Sequence, residues 1–224
     1  GAAERTGFGW RAALAGVAAL TVIVMLSMRR APIRNRMPYH VHRRGKPAPL
    51  PRVFWICCDV AALSAATEWG FAFWGAGFLH QVAGFSNAAS SVAMSAFFIA
   101  MVSGRYAGSR MGHRFEAVNV LLVAFAVALG GLVFFWLAPS GSVRVAGLFF
   151  AGLGIANVYP YIAALANDLT PGRADVAMAK LLWTGSLAIL LSPFVLGVLG
   201  DAIGIRLGFG ILAPVLIAAF VGTF

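Results

Sequence analysis

Of the seven acidic residues in this 224-residue chain, Glu68 has the most unusual surroundings. It lies within the apolar run Val53–Leu79, with Ala61, Ser64, Ala72 and Gly75 at helical spacings on either side. A helix there carries a narrow stripe of small and polar side chains with a carboxyl group at its centre. At a rise of about 1.5 Å per residue, that carboxyl sits near the middle of a bilayer. A charge at that depth costs at least ~3 kcal/mol on insertion scales, so such residues face a cavity or a partner. Two chemistries suit it. Glu68 binds a proton or a cationic group and couples it to movement of a solute, or it is a structural acid bonded to a neighbouring helix. Trp69 and Trp74 follow it, and an indole there either stacks on a sugar or aromatic ring or serves as ordinary packing.

A second set lies downstream. Gly154, Asn157 and Tyr161 stand at i, i+3 and i+7, beside Tyr159 and Pro160. One helix face would then offer an amide and a phenol to substrate hydroxyls, while Pro160 leaves a backbone carbonyl without its helical donor. The competing reading is helix–helix adhesion through small and polar residues. Lys180 opens a later apolar run, ahead of Trp183, Thr184 and Ser186; it either snorkels to the cytoplasmic interface or balances Glu68. Asp59 is shallower, placed for an interfacial pair with a loop arginine. Cys57 and Cys58 are adjacent, so their side chains diverge by about 100° on a helix and are poorly set for a bridge or a metal. His40, His42, His80 and His113 all fall in or beside loops. No H-E-x-x-H, Ser–His–Asp set or Cys/His cluster is present, so neither enzyme activity nor a metal or cofactor is expected.

The elements that must position these groups follow from composition. Hydrophobic residues make up 61% of the chain and charged residues 11%. A soluble domain carries about 25% charged residues, so the excess apolar surface must face lipid. Apolar runs occupy Trp10–Met28, Val53–Leu79, Ala88–Ser103, Val118–Leu137, Val145–Ala166, Val176–Leu199 and Leu207–Phe224. They are continuous rather than alternating, which selects helices over barrel strands. The expected fold is an all-α membrane protein with about seven transmembrane helices. The third run is short, and the last stops at the terminus without a flank.

Charge sets the orientation. Placing the 29–52 loop in the cytoplasm and alternating thereafter puts thirteen of the 17 Lys and Arg on the inner side. Only Arg5, Arg11, Arg144 and Arg206 fall outside, as the positive-inside rule requires. Eight of the basic residues lie between Arg29 and Arg52, mixed with five prolines, in a connector able to attract anionic headgroups. The net charge of +10 is therefore a membrane-surface feature and not a nucleic-acid face. Gly9-Trp10-Arg11-Ala12 and Gly204-Ile205-Arg206-Leu207 each lead into an inward-running helix, which suggests a parallel repeat about half of a twelve-helix protein apart.

At this point the chain resembles the major facilitator superfamily. Its segment from Gly104 to Arg114 is similar to that family's cytoplasmic signature G-x-x-x-D-R-x-G-R-R, found between helices 2 and 3 and repeated between helices 8 and 9. Arg110, Gly112 and Arg114 match. Ser109 stands at the acidic position, Arg105 at the leading glycine and His113 at the first terminal basic position, which weakens any charge-relay role. A tight basic turn accounts for Gly104, Arg105 and the residues after them as well as a gating role does. Gly197-x-x-x-Asp201-x-x-Gly204-x-Arg206 resembles the turn between helices 11 and 12, and the 29–52 loop the family's central cytoplasmic loop.

The resemblance implies the second half of a twelve-helix fold. Residues 1–28 would be the outer loop and last helix of a first bundle, 29–52 the central loop, and 53–224 a six-helix second bundle. The start at Gly1 without a Met suits an excised piece whose N-terminal half is missing. Helix 7 of the family, here the run holding Glu68, lines the central cavity. The implied function is transport of a small-molecule substrate across the bilayer by alternating access. No P-loop is present, so an ion gradient, with protons foremost, is the expected energy source. A sugar-like or other polar solute is favoured slightly over efflux of hydrophobic compounds. A seven-helix receptor or retinal protein is the rival from another class, though the last span lacks a retinal-binding lysine. An Arg-rich composition with only 2 Lys suits a bacterial cytoplasmic membrane.

Overall fold

A computed structural model describes residues 9–29, 49–112 and 114–223 of the chain. The described residues form eight helices and no strand. Contacts divide the chain into two units, residues 1–46 and 47–224. In the first, α1 (Gly9–Met28) is an apolar helix with no charged residue after Arg11. The 30–48 part of the expected basic loop lies outside the described residues, as does His113.

The second unit holds α2 (Arg52–Ala83), α3 (Asn87–Met111), α4 (Ala117–Leu137), α5 (Gly141–Asp168) and α6 (Ala174–Ile203), each long and apolar enough to cross a membrane. The other two expected spans are shorter apolar helices, Leu14–Met28 and Ile205–Val221. Local chemistry sets the ends. Ser86 and Ser140 accept from the backbone N–H groups of Ala89 and Val143, capping α3 and α5. Gly84 closes α2 with a φ of 71°, and Gly204 follows α6 with φ 86° and ψ 147°, a region open essentially to glycine alone.

Two departures from the expected spans matter. Helix α3 runs on to Met111, eight residues past Ser103, so most of the expected signature turn is helix and only residues 112–116 connect α3 to α4. The last apolar run is divided into α7 (Ile205–Gly210) and α8 (Leu212–Val221). Pro214 has no N–H to offer the carbonyl of Gly210, which breaks the hydrogen-bond ladder at that junction.

The tightest packing joins α4 to α5. A Cβ on Gly131 would fall on the backbone of Ala151, one on Gly147 on the backbone of Phe135, and one on Gly154 on Ala124 and Ala128. The two backbones are therefore in direct contact. Arg144, 5% exposed, locks the end of this pair by donating to the carbonyls of Phe135 and Trp136 at 2.8 and 2.9 Å. It satisfies orphan carbonyls at the C-terminus of α4, where a cation is also favoured by the helix dipole. Beside it, Phe71, Phe78, Phe97, Phe135 and Phe209 are buried together, and their rings knit α2, α3, α4 and α7.

Candidate functional site

Helix α2 is long enough to hold Glu68 midway along its length and apolar enough that the carboxylate must find a polar environment. It finds one in a cavity of about 420 Å³ walled by four helices. From α2 come Ala65, Glu68 and Trp69, from α3 Arg105, from α5 Tyr159 and Pro160, and from α6 Leu182, Gly185, Ser186 and Ile189. Glu68 Oε1 lies 3.7 Å from the guanidinium of Arg105, an ion pair too long for a hydrogen bond. The Glu68 side chain is 21% exposed and that of Arg105 57%, so the pair opens onto the cavity and is not sealed in the core.

Ser186 adds a hydroxyl to the same wall. The Tyr159 hydroxyl is buried and has no hydrogen-bond partner, although its ring lines the wall. Pro160 removes the donor that would pair the carbonyl of Ala156, and Pro193 does the same for Ile189. The carbonyl of Pro193 itself accepts from Trp74 Nε1 at 2.9 Å, tying α6 to α2. A second chamber of about 360 Å³ shares Glu68 and Trp69 with the first and is otherwise lined by Ala72, Phe73, Phe97, Phe98 and Met101. Trp69 and Phe73 are in tilted ring contact at 5.7 Å. Among the described residues, no three His, Cys, Asp or Glu side chains stand together as metal ligands.

The remaining residues singled out from the sequence are placed as follows. Ser64 is buried and donates to the Ala61 carbonyl of its own helix at 3.0 Å. Asn157 donates to the carbonyl of Gly104 and Tyr161 to that of Gly108, both at 2.9 Å, so the amide and phenol bind α5 to α3 and not the cavity. A Cβ on Gly108 would coincide with the Asn157 amide, so a larger residue there displaces that side chain from its bond to Gly104. Lys180 is exposed, with its Nζ 5.3 Å from the Trp55 ring centroid, and does not line either chamber. Arg110 lies over the Tyr106 ring at 4.7 Å. Gly112 ends α3, its N–H donating to Gly108, and the N–H of Arg114 donates to Met111. Asp201 and Arg206 are exposed, and the Arg206 carbonyl accepts from Trp136 Nε1 at 2.8 Å.

Of the cavity's polar groups, Arg105, Tyr159 and Ser186 were not expected to act together with Glu68. The signal for Arg105 was present: Phe98, Met101 and Arg105 share a face at i, i+3 and i+7 once α3 is extended past Ser103. Assigning Gly104 to Arg114 to a surface turn hid that face.

A family model, Major Facilitator Superfamily, matches residues 60–224. Over 144 residues the chain is 27% identical to an uncharacterized MFS-type transporter of Yersinia pestis, a match covering 64% of this chain and 38% of that protein. Over 143 residues it is 25% identical to membrane protein MosC of Rhizobium meliloti, covering 64% and 35%. The chain thus spans well under half the length of these curated relatives. Among solved structures, the POT family transporter PepTSo superposes with a TM-score of 0.71 at 18% identity, covering 79% of this chain and 37% of that one. A peptide transporter POT in complex with sulfate gives 0.69 at 16% identity, covering 77% and 37%. At these identities the two structures speak for the fold.

Proposed function

The chain belongs to the Major Facilitator Superfamily, and from that premise we propose that it supplies one bundle of a secondary transporter that moves a small solute by alternating access around the Glu68 cavity. In this reading residues 1–28 close a first bundle, 29–52 form the cytoplasmic connection and 53–224 the second bundle, all in the cytoplasmic membrane. The first bundle supplies the other half of the site, and the bundles rock about it.

The observation that carries the proposal is the placement of Glu68. It is a carboxylate midway along an apolar helix, facing a four-helix cavity and held by a single loose contact to Arg105. A carboxylate can exchange a proton, which a guanidinium does not. Protonating Glu68 removes the negative charge that restrains Arg105 and leaves the cavity net positive. Deprotonating it restores the pair. A proton is thereby linked to whether Arg105 is held or free to meet a solute. Among the described residues no other carboxylate lines this cavity, and Lys180 does not line it.

A polar solute fits this wall through Arg105 and Ser186. It does not fit through Asn157 and Tyr161, whose donors go to the α3 backbone. The test is proton movement in liposomes containing the full-length polypeptide, recorded as candidate solutes are added, for wild type and Glu68→Gln. The expected result is solute-dependent acidification or alkalinisation in wild type and its loss in the variant. Equal proton movement by the two proteins would remove Glu68 from the coupling step.

A further inference from the structure

The two chambers that share Glu68 and Trp69 differ in kind. The first carries every charged and hydroxyl group of the site; the second is apolar and aromatic apart from Glu68 itself. Their arrangement is directional. Helices α2 and α3 are joined by residues 84–86 and run antiparallel, so rising numbers on α2 and falling numbers on α3 lead toward the same end of the bundle. From Glu68 that direction passes Ala72 and Phe73; from Arg105 it passes Met101 and Phe98. Phe73 and Phe98 are 59% and 50% exposed, so their rings are bare walls and not core filling. Seven residues separate Arg105 from Phe98, about 10 Å along the helix. That is the scale of an aromatic ring joined to an acid group through two or three carbons.

The sign of the head group follows from Arg105. Glu68 is the one ion-pair partner of Arg105 among the described residues, and at 3.7 Å it leaves the guanidinium fork without a hydrogen bond to it. A solute anion can take that fork in a bidentate contact. It gains a second donor in the Ser186 hydroxyl, which lies on the same wall. A solute cation would have to share the space with a permanent positive charge. The geometry points to an amphipathic monoanion as the transported class, its acid group on Arg105 and Ser186 and its apolar body in the chamber lined by Phe73, Phe98 and Met101. The inference rests on the reading of this cavity as the solute site and adds the class of solute.

The test is equilibrium binding of labelled 3-phenylpropionate to the detergent-purified full-length polypeptide at fixed pH, a readout that does not depend on proton coupling. Competitors are 3-phenylpropylamine, 3-phenylpropanol, propionate and glucose. Saturable binding in the millimolar range or tighter is expected, with each competitor weaker by about tenfold or more, the worth of one lost charged or apolar contact. Arg105→Gln should weaken binding by about tenfold or more, with partial recovery in Arg105→Lys. Phe98→Ser should weaken 3-phenylpropionate more than propionate. Glu68→Gln should tighten binding, because the competing carboxylate is gone, while abolishing proton movement. Absence of saturable binding, an amine or glucose that binds as tightly as the acid, or unchanged binding in Arg105→Gln would each overturn the inference. If Arg105→Gln does not fold, Arg105→Lys and Phe98→Ser decide it. Retained proton coupling in Glu68→Gln with acid binding intact would instead sink the coupling role and leave the solute class standing.

Discussion

The α4–α5 pair and the four-helix wall around Glu68 are built on opposite principles. Between α4 and α5 glycines bring backbone onto backbone, and a buried arginine closes the end of the pair. Around Glu68 the helices stand apart enough to leave two chambers, and their polar groups are loosely paired or unpaired. Helix α6 belongs to the second kind. Only Ala177, Leu181, Gly185 and Leu196 of its 30 residues are buried, whereas eleven of the 28 in α5 are. Residues such as Trp183, Leu190 and Phe194 are about 70% exposed. In a family member that works by alternating access, the first region suits a body that moves as one piece, and the second a surface that must change partners.

The contrast breaks most plainly at Gly147. Gly147→Leu drives a side chain into the backbone of α4, where no flexible atom can yield. A loss of about 3 kcal/mol or more, read as collapsed yield and thermal unfolding of the full-length polypeptide, is expected. Normal stability would mean that the seam is not rigid. Arg144→Met tests the lock at the end of the pair. It strips two carbonyls of a charged donor, and a loss of about 2 kcal/mol should appear as a lowered unfolding temperature. Tyr161→Phe probes the boundary between the regions, because its hydroxyl holds α5 to α3 beside the cavity. Here about 1 kcal/mol is at stake, and solute binding should be unaffected. The smallest change in folding is expected at the cavity itself. Glu68→Gln should alter stability by no more than about 0.5 kcal/mol, since its pair is long and the Arg105 end is exposed. A large destabilisation there would favour the structural-acid reading.

Much of the fold was legible in the sequence. Membrane-crossing helices pair their backbone groups within a single segment, so an unbroken apolar run and its flanking turns nearly define the element. That is why the expected runs and helices α2 and α4 to α6 coincide within a few residues. The failures lie where a local signal had two readings. Gly104 to Met111 reads as a glycine-rich basic turn, but glycines that pack a helix look the same as glycines that bend one. At Pro214 a single missing N–H divided a run that hydropathy left whole.

The site was legible only in part. Glu68 and Trp69 stood out because a carboxyl group in an apolar run has few uses, whatever surrounds it. Asn157 and Tyr161 carried the right groups at the right spacing for solute hydroxyls, but spacing fixes only the face of α5. What that face meets is set by α3, whose Gly104 and Gly108 carbonyls lie 53 residues earlier in the chain. Arg105, which reads as part of a basic turn, is placed beside Glu68 by the same packing.

The sequence alone determined the class of protein, the number and bounds of most helices and the presence of one costly carboxylate among them. These follow from hydropathy and helix geometry, which act over a single turn or a single span. The tertiary structure decided what that carboxylate faces, that Arg105 is its partner, and that the amide and phenol of α5 go to holding helices together. Each of those outcomes depends on the rotation of one helix against another. That rotation is set by packing summed over whole faces, and no local stretch of residues encodes it.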